Sequence, residues 1–336
     1  MFYARSSAAL RAFQRSRVAP MLMLTGLGLH PALAQKSTGI EGGAFLLLPI
    51  GARAVALGEA VTARRDPTDA IWWNPAGLGA ASRREVVVQH SQSYLGVGDA
   101  LSLVVPSSLL GVLALGADVL DYGPQEARLD GGPPTGTILT RSFVVGASYA
   151  ASLGHASGGV TFKVAQFRVD CSGTCPETAV FAATASAVDV GMQYHLGGSR
   201  PLTLGIAMRN LGPSIQVNDA AQRDPTARRL HVGAEYRYTP PKSLADSVEL
   251  RISADLIHGL DHGAPVPRFG AELAWQKRAY VRGGYVMRAP LSEYGGPSIG
   301  LGYVTRALSI DLSRVVSGFS ADAGQAPTYL SLRLQY

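Results

Sequence analysis

Charge is scarce in this chain. Asp, Glu, Lys and Arg make up 16% of its 336 residues, against roughly 25% in ordinary soluble domains. Mean hydropathy is slightly positive, which leaves too little polar surface for a comfortable fold in water. Long apolar runs are also missing. Beyond the first 34 residues no stretch of ~18 apolar residues occurs, which excludes a helical membrane span. A closed β-barrel, with every backbone group paired between strands, is the remaining way across a bilayer. Cysteine is limited to Cys171 and Cys175, in "VDCSGTCPET". A metal site needs more ligands, and no Cys or His cluster lies nearby in sequence, so no metal and no cofactor are expected. In an exported chain so close a pair reads as a disulfide pinning a loop. Tryptophan is nearly absent, yet two of the three stand side by side in "DAIWWNPAGLG". Glycine is plentiful at 39 residues, and Tyr outnumbers Phe by 13 to 9.

The first 34 residues read as a cleaved signal peptide. Arg5, Arg11, Arg15 and Arg17 form a basic start without acidic residues, residues 18–29 are apolar, and "ALA" before Gln35 fits the cleavage pattern. A single N-terminal anchor helix is the weaker alternative, because the apolar run is short. Removing residues 1–34 takes four of the 30 basic residues and none of the 24 acidic ones, leaving 26 against 24 and a net charge of +2 rather than +6. The basic balance belongs mostly to the leader, so nucleic acid is not an expected partner.

From Glu85 onward the pattern has period two. "LTLGIAMR" sets Leu202, Leu204, Ile206 and Met208 against Thr203, Gly205, Ala207 and Arg209. "ALSIDLSR" sets Leu308, Ile310 and Leu312 against Ser309, Asp311 and Ser313. Strict alternation means strands with one apolar and one polar face. Strands are predicted near 85–91, 99–105, 111–120, 141–152, 158–169, 183–195, 202–210, 228–239, 247–257, 267–276, 279–288, 297–305, 307–316 and 328–336. That even number, at lengths near the ~9–11 residues that cross a bilayer, predicts an all-β fold: an antiparallel transmembrane barrel of about fourteen strands. Short links such as "GHAS", "LGGSR" and "QK" alternate with long ones such as "DYGPQEARLDGGPPTGTILT", "DCSGTCPET" and "GPSIQVNDAAQRDPTA", as short periplasmic turns alternate with outer loops. This rhythm puts the cysteine pair outside. The polar faces carry mixed charge toward the lumen, at Lys163, Arg209, Glu235, Arg237, Glu249, Arg251, Asp255, Glu272 and Asp311. The last strand, "YLSLRLQY", ends on an aromatic residue and resembles the C-terminal signal read by the outer-membrane assembly machinery. Outer-membrane lipid and that machinery are the expected partners, and the outer membrane the expected location.

Residues 35–84 do not alternate. Asp66 is placed to cap a helix with Pro67 at its first position and Asp69 at its third; Asn74, ahead of Pro75, should end it. The domain reading is therefore a signal peptide over 1–34, an N-terminal plug over 35–84 and a barrel over 85–336. A fourteen-stranded ring is wider than its own side chains fill, and a Trp buries on the order of 200 Å². Trp72 and Trp73 are read as packing for the plug, with an interfacial aromatic anchor as the alternative.

"GARAVALGEAVTARRDPTDAIWWNPAGL" resembles the N-terminal signature of the PorV/PorQ proteins, relatives of the FadL-type transporters. The match runs through Gly51, Arg53, Ala54, Gly58, Asp66, Asp69, Trp73, Asn74, Pro75, Ala76, Gly77 and Leu78. It departs at Glu59, where the family has a small residue, and at "RRDP". The resemblance implies a plugged barrel and one of two jobs: passage of hydrophobic small molecules, or binding of exported cargo for type IX secretion components. A passive structural barrel is the further alternative. An outer-membrane hydrolase is disfavoured, since no G-x-S-x-G nucleophile motif is present and "GGPSIG" reads as a strand-entry turn. No enzyme activity is expected.

Overall fold

The computed structural model describes residues 43–129, 132–175, 181–197, 201–216, 223–224, 226–238, 240, 247–261, 263–287, 295–316 and 326–336. The expected leader and the start of the expected plug, residues 35–42, lie outside them.

The strands in chain order are β1 (Glu85–Ser93), β2 (Gly96–Ser107), β3 (Gly111–Arg128), β4 (Pro134–Leu153), β5 (Ala156–Gly173), β6 (Phe181–Leu196), β7 (Leu202–Leu211), β8 (Ile215–Gln216), β9 (Arg223–Asp224), β10 (Arg229–Tyr238), β11 (Val248–Gly259), β12 (Val266–Trp275), β13 (Ala279–Val286), β14 (Gly296–Val304), β15 (Leu308–Val315) and β16 (Thr328–Gln335). Fourteen of them close a ring in the order β1-β16-β15-β14-β13-β12-β11-β10-β7-β6-β5-β4-β3-β2, while β8 and β9 pair separately. The ring closes antiparallel, from Glu85 opposite Gln335 to Gln92 opposite Thr328.

The side-chain period of a strand decides what each face meets. In β15 Leu308, Ile310 and Leu312 are exposed, while Ser309, Asp311 and Ser313 between them are buried. In β7 Leu204, Ile206 and Met208 are exposed, while Thr203, Ala207 and Arg209 are buried. Apolar side chains point out and polar ones in, the reverse of a water-soluble sandwich. Lipid is the solvent that this surface fits.

We call the end where β1 starts and β16 finishes the lower end. The links there are short, for example 154–155, 276–278 and 305–307. Gln276 and Lys277 take left-handed backbone angles to make one of these turns. Near the lower end each of several strands turns an aromatic residue outward: Tyr149, Tyr194, Tyr236, Tyr238, Trp275, Tyr303 and Tyr336 are all exposed. Such rings mark the headgroup level of a bilayer.

Three long links differ from expectation. Residues 121–128 and 134–140 are not loop; they continue β3 and β4 as a paired hairpin. The register shifts between Asp121 and Pro124, where Pro124 has no N–H to give to the ladder, and again between Ala127 and Arg128. The outer part of β5 likewise runs through Cys171 to Gly173, opposite residues 136–138 of β4. The link between β7 and β10 contains the small β8–β9 pair.

The residues ahead of the barrel form a 3-10 turn (Ala44–Leu47), helix α1 (Ala52–Ala56), helix α2 (Pro67–Trp73) and a second 3-10 turn (Pro75–Ala80). Helix α1 packs on β13 to β16, α2 on β2 and β3, and the second 3-10 turn on β3 to β6. Contacts spread so widely around the ring put this segment inside it. Leu57, Ile71, Trp72, Trp73 and Leu78 share one apolar core with Ala100, Val104, Ala114 and Val144 of the wall.

Candidate functional site

Local chemistry fixes α2 first. Asp66 accepts a hydrogen bond from Thr68 N at 3.2 Å, and Pro67 opens the helix. Asn74 is extended and closes it, as a residue before proline must. The same side chain starts the next turn: Asn74 Oδ1 accepts from Ala76 N at 3.1 Å. Its Nδ2 donates to the Thr62 carbonyl at 2.7 Å and lies 3.4 Å from the Ile206 carbonyl of β7. One amide thus joins helix, loop and wall.

The wall accommodates this approach by having no side chain where the segment touches it. A Cβ at Gly191 of β6 would collide with Asn74 Oδ1, and one at Gly159 of β5 with the Pro75 carbonyl group. Pro75, Ala76, Gly77 and Leu78 are buried there. The tryptophans are also buried. Trp72 Nε1 donates to Ser102 Oγ of β2 at 3.1 Å, and Trp73 Nε1 donates to the Ile50 carbonyl at 2.9 Å. The Arg209 guanidinium sits over the Trp73 ring, 5.3 Å from its centre.

Charged groups join the segment to the opposite wall in one alternating chain. Arg64 meets Glu235 at 2.9 Å and Glu272 at 2.8 Å. Glu272 meets Arg282 at 2.6 Å, and Arg282 meets Asp311 at 2.7 Å. Asp311 lies 3.4 Å from Arg53, which also pairs with Asp66. Arg333 lies 3.6 Å from Asp66 and 3.9 Å from Glu85. Asp69 is buried beside this chain; burial pushes its carboxyl up, and Arg53 pulls it back. Taking so many ions out of water gains little stability, but it fixes one arrangement, because any lost partner leaves a buried charge.

The other residues singled out from the sequence fall in three places. Asp255 accepts from Thr62 N at 2.8 Å, holding the loop between α1 and α2. Arg237, Glu249 and Arg251 lie nearer the lower end, with Arg251 to Glu249 at 2.5 Å and Arg237 to Glu249 at 3.8 Å. Cys171 and Cys175 are bonded to each other, with Cα atoms 6.3 Å apart, at the upper end of β5. Arg64, Arg282, Arg333 and Ser102 are additions that the sequence reading did not pick out as site residues. Glu59, a departure from the family signature, pairs with Arg268 of β12.

Space remains between residues 45–50 and the wall. One narrow crevice, open to solvent, has Leu48, Ile50, Ala100, Leu120 and Tyr329 on its sides. Another lies among Phe45, Leu46, Trp72, Trp73, Lys163 and Arg209. Both touch Leu48, Ile50 and Asp118. Above them Phe167 gathers Phe45, Tyr122 and Phe181 at centroid distances of 6.1, 5.9 and 5.9 Å. Among the described residues no cluster of His, Cys, Asp and Glu is arranged to hold a metal ion.

A ring of fourteen antiparallel strands, apolar outside and packed inside by an N-terminal segment, is a transmembrane β-barrel fold that other solved structures share. Two solved structures carry this likeness. The toluene transporter TbuX of Ralstonia pickettii superposes with a TM-score of 0.53 at 11% identity, over 85% of this chain and 98% of that one. The toluene transporter TodX of Pseudomonas putida superposes with a TM-score of 0.53 at 13% identity, over 88% of this chain and 97% of that one. No protein-family model matches the chain, and no curated protein does.

Proposed function

We propose that the protein is an outer-membrane channel for small hydrophobic molecules, in which residues 35–84 are the plug and residues 1–34 a leader removed on export. The observation that carries this reading is the pair of crevices between segment and wall, one beside Leu48, Ile50 and Ala100, the other among Phe45, Trp72 and Trp73. Pockets of this kind, mostly apolar with a few placed polar groups, take small apolar ligands. The shared fold with two toluene transporters supports the same direction. The signature from Gly51 to Leu78 supports a PorV/PorQ affiliation, since its Asn74, Pro75 and Arg53 make the contacts that hold the segment in place. A second reading, docking of exported cargo as a type IX secretion component, draws on the long upper wall of β3 to β6, whose strands run 16–20 residues against 8–12 elsewhere in the ring.

The test is uptake of radiolabelled toluene by Gram-negative cells whose own outer leaflet excludes it. Cells carrying the protein should take it up faster than cells without it. Ala100→Phe, which fills the crevice from the wall, should return uptake toward the background. Equal uptake with and without the protein would remove the channel reading and leave cargo docking as the better one.

A further inference from the structure

The lower end carries a feature that a transport route does not use. On the arc formed by the neighbours β12, β13, β14, β15, β16 and β1, the links and the lead-in hold Lys277, Arg278, Arg306, Arg83 and Arg84, all exposed. They are close in space as well as in ring order. Val304 N donates to the Arg278 carbonyl at 2.7 Å, Gln335 N to the Ala307 carbonyl at 2.8 Å, and Tyr336 N to the Arg84 carbonyl at 3.0 Å. Among the described residues no Asp or Glu side chain forms an ion pair with any of the five.

Toward the upper end outward-facing charges pair with one another: Arg141 with Asp121 and Arg168 with Asp170, each at 2.8 Å. On the other side of the lower end the turns after β2 and β4 expose Leu109, Leu110 and Leu153 and carry no Lys or Arg. These five cations stand directly beyond the outward aromatics Trp275, Tyr303 and Tyr336 of the same arc, which are 64%, 54% and 61% exposed.

We infer that this arc binds the phosphates of anionic phospholipids in the leaflet at the lower end. Aromatic side chains settle at headgroup depth, so the five cations stand at phosphate level. No side-chain carboxylate among the described residues pairs with the five, which leaves them open to an anion from outside the chain. Guanidinium groups match phosphate oxygens in a two-pronged geometry, and basic residues beside a membrane draw anionic lipid toward themselves. The inference requires only that the barrel spans a bilayer; it does not depend on toluene or any other solute passing through it.

Trp275 sits beside the Lys277–Arg278 turn and reports on its lipid neighbours. The full chain is reconstituted in phosphatidylcholine vesicles containing a small, equal mole fraction of either brominated phosphatidylglycerol or brominated phosphatidylcholine, and Trp fluorescence is read. Trp72 and Trp73 are buried and add a constant background. Brominated phosphatidylglycerol should quench at about half the mole fraction that brominated phosphatidylcholine needs, and raised salt should shrink the difference. In K277Q/R278Q/R306Q the two lipids should quench alike. Equal quenching of the wild-type protein at low salt would overturn the inference and point to an acidic macromolecule as the partner of this arc. A preference that survives in the triple variant would overturn it too. The wild-type comparison stands alone if the variant fails to insert.

Discussion

Replacing Trp72 with alanine should unseat the N-terminal segment and leave the ring standing. Trp72 is only 4% exposed, and its ring lies so close to the wall that a Cβ added at Gly116 would come within 2.9 Å of Cζ2. Truncating a buried Trp to Ala costs about 3–5 kcal/mol. The change also strips Ser102 Oγ, itself buried, of its indole donor, which adds about 1 kcal/mol. A loss of about 4 kcal/mol raises the unseated population about a thousandfold. The ring keeps its own hydrogen bonds between strands, so Trp72→Ala protein should still run as a compact band that shifts on heating. In planar bilayers it should show frequent open events where the wild-type protein shows few, and the segment should become sensitive to protease. Trp72→Phe keeps most of the packing, loses the indole N–H, and should open only about tenfold more often. If Trp72→Ala conducts like the wild type and, with Trp275 also replaced, Trp73 is strongly quenched by brominated lipid, the segment does not sit in the lumen.

Two further outcomes follow from the same geometry. Glu272→Ala leaves Arg64 and Arg282 facing each other without their shared carboxylate and should cost about 3–5 kcal/mol; a smaller shift in thermal unfolding than Trp72→Ala produces would refute the chain's importance. Cys171 and Cys175, at the upper end, should react with an impermeant maleimide on intact cells after mild reduction; labelling only in lysed cells would invert the topology.

Most of the ring is visible in the chain as text because lipid imposes a pattern on it. Within the bilayer every second residue meets hydrocarbon, so alternation is enforced, and expected strands such as 202–210 and 183–195 fall within two residues of β7 and β6. Above the bilayer that demand stops. The outward positions of the β3–β4 hairpin hold Asp121 and Arg141, alternation disappears, and the hairpin reads as loop although its backbone is fully paired. Helix α2 was legible because its signals are local: a capping Asp, a Pro at the start and an Asn-Pro at the end. The ionic chain was not, because its partners are remote. Arg53 and Asp311 lie 258 residues apart, and Arg64 and Glu272 lie 208 apart. They meet only after a closed ring has fixed which inward positions look across at one another, and the residue types alone do not encode that register. Arg64 had one trace in the sequence, as part of the "RRDP" stretch that departs from the family signature.

The absence of side chains at Gly159 and Gly191 has a consequence for what kind of leak this barrel tolerates. Where the wall meets Pro75 and Asn74 directly, no gap remains for a water molecule about 2.8 Å across. The segment is thus gasketed along β5 and β6, while the crevices lie toward β1, β2, β3 and β16 and around Trp73. On the channel reading the lumen is a keyway: a dehydrated solute would pass on the crevice side, while the contacts along β5 and β6 leave no space for a hydrated ion there.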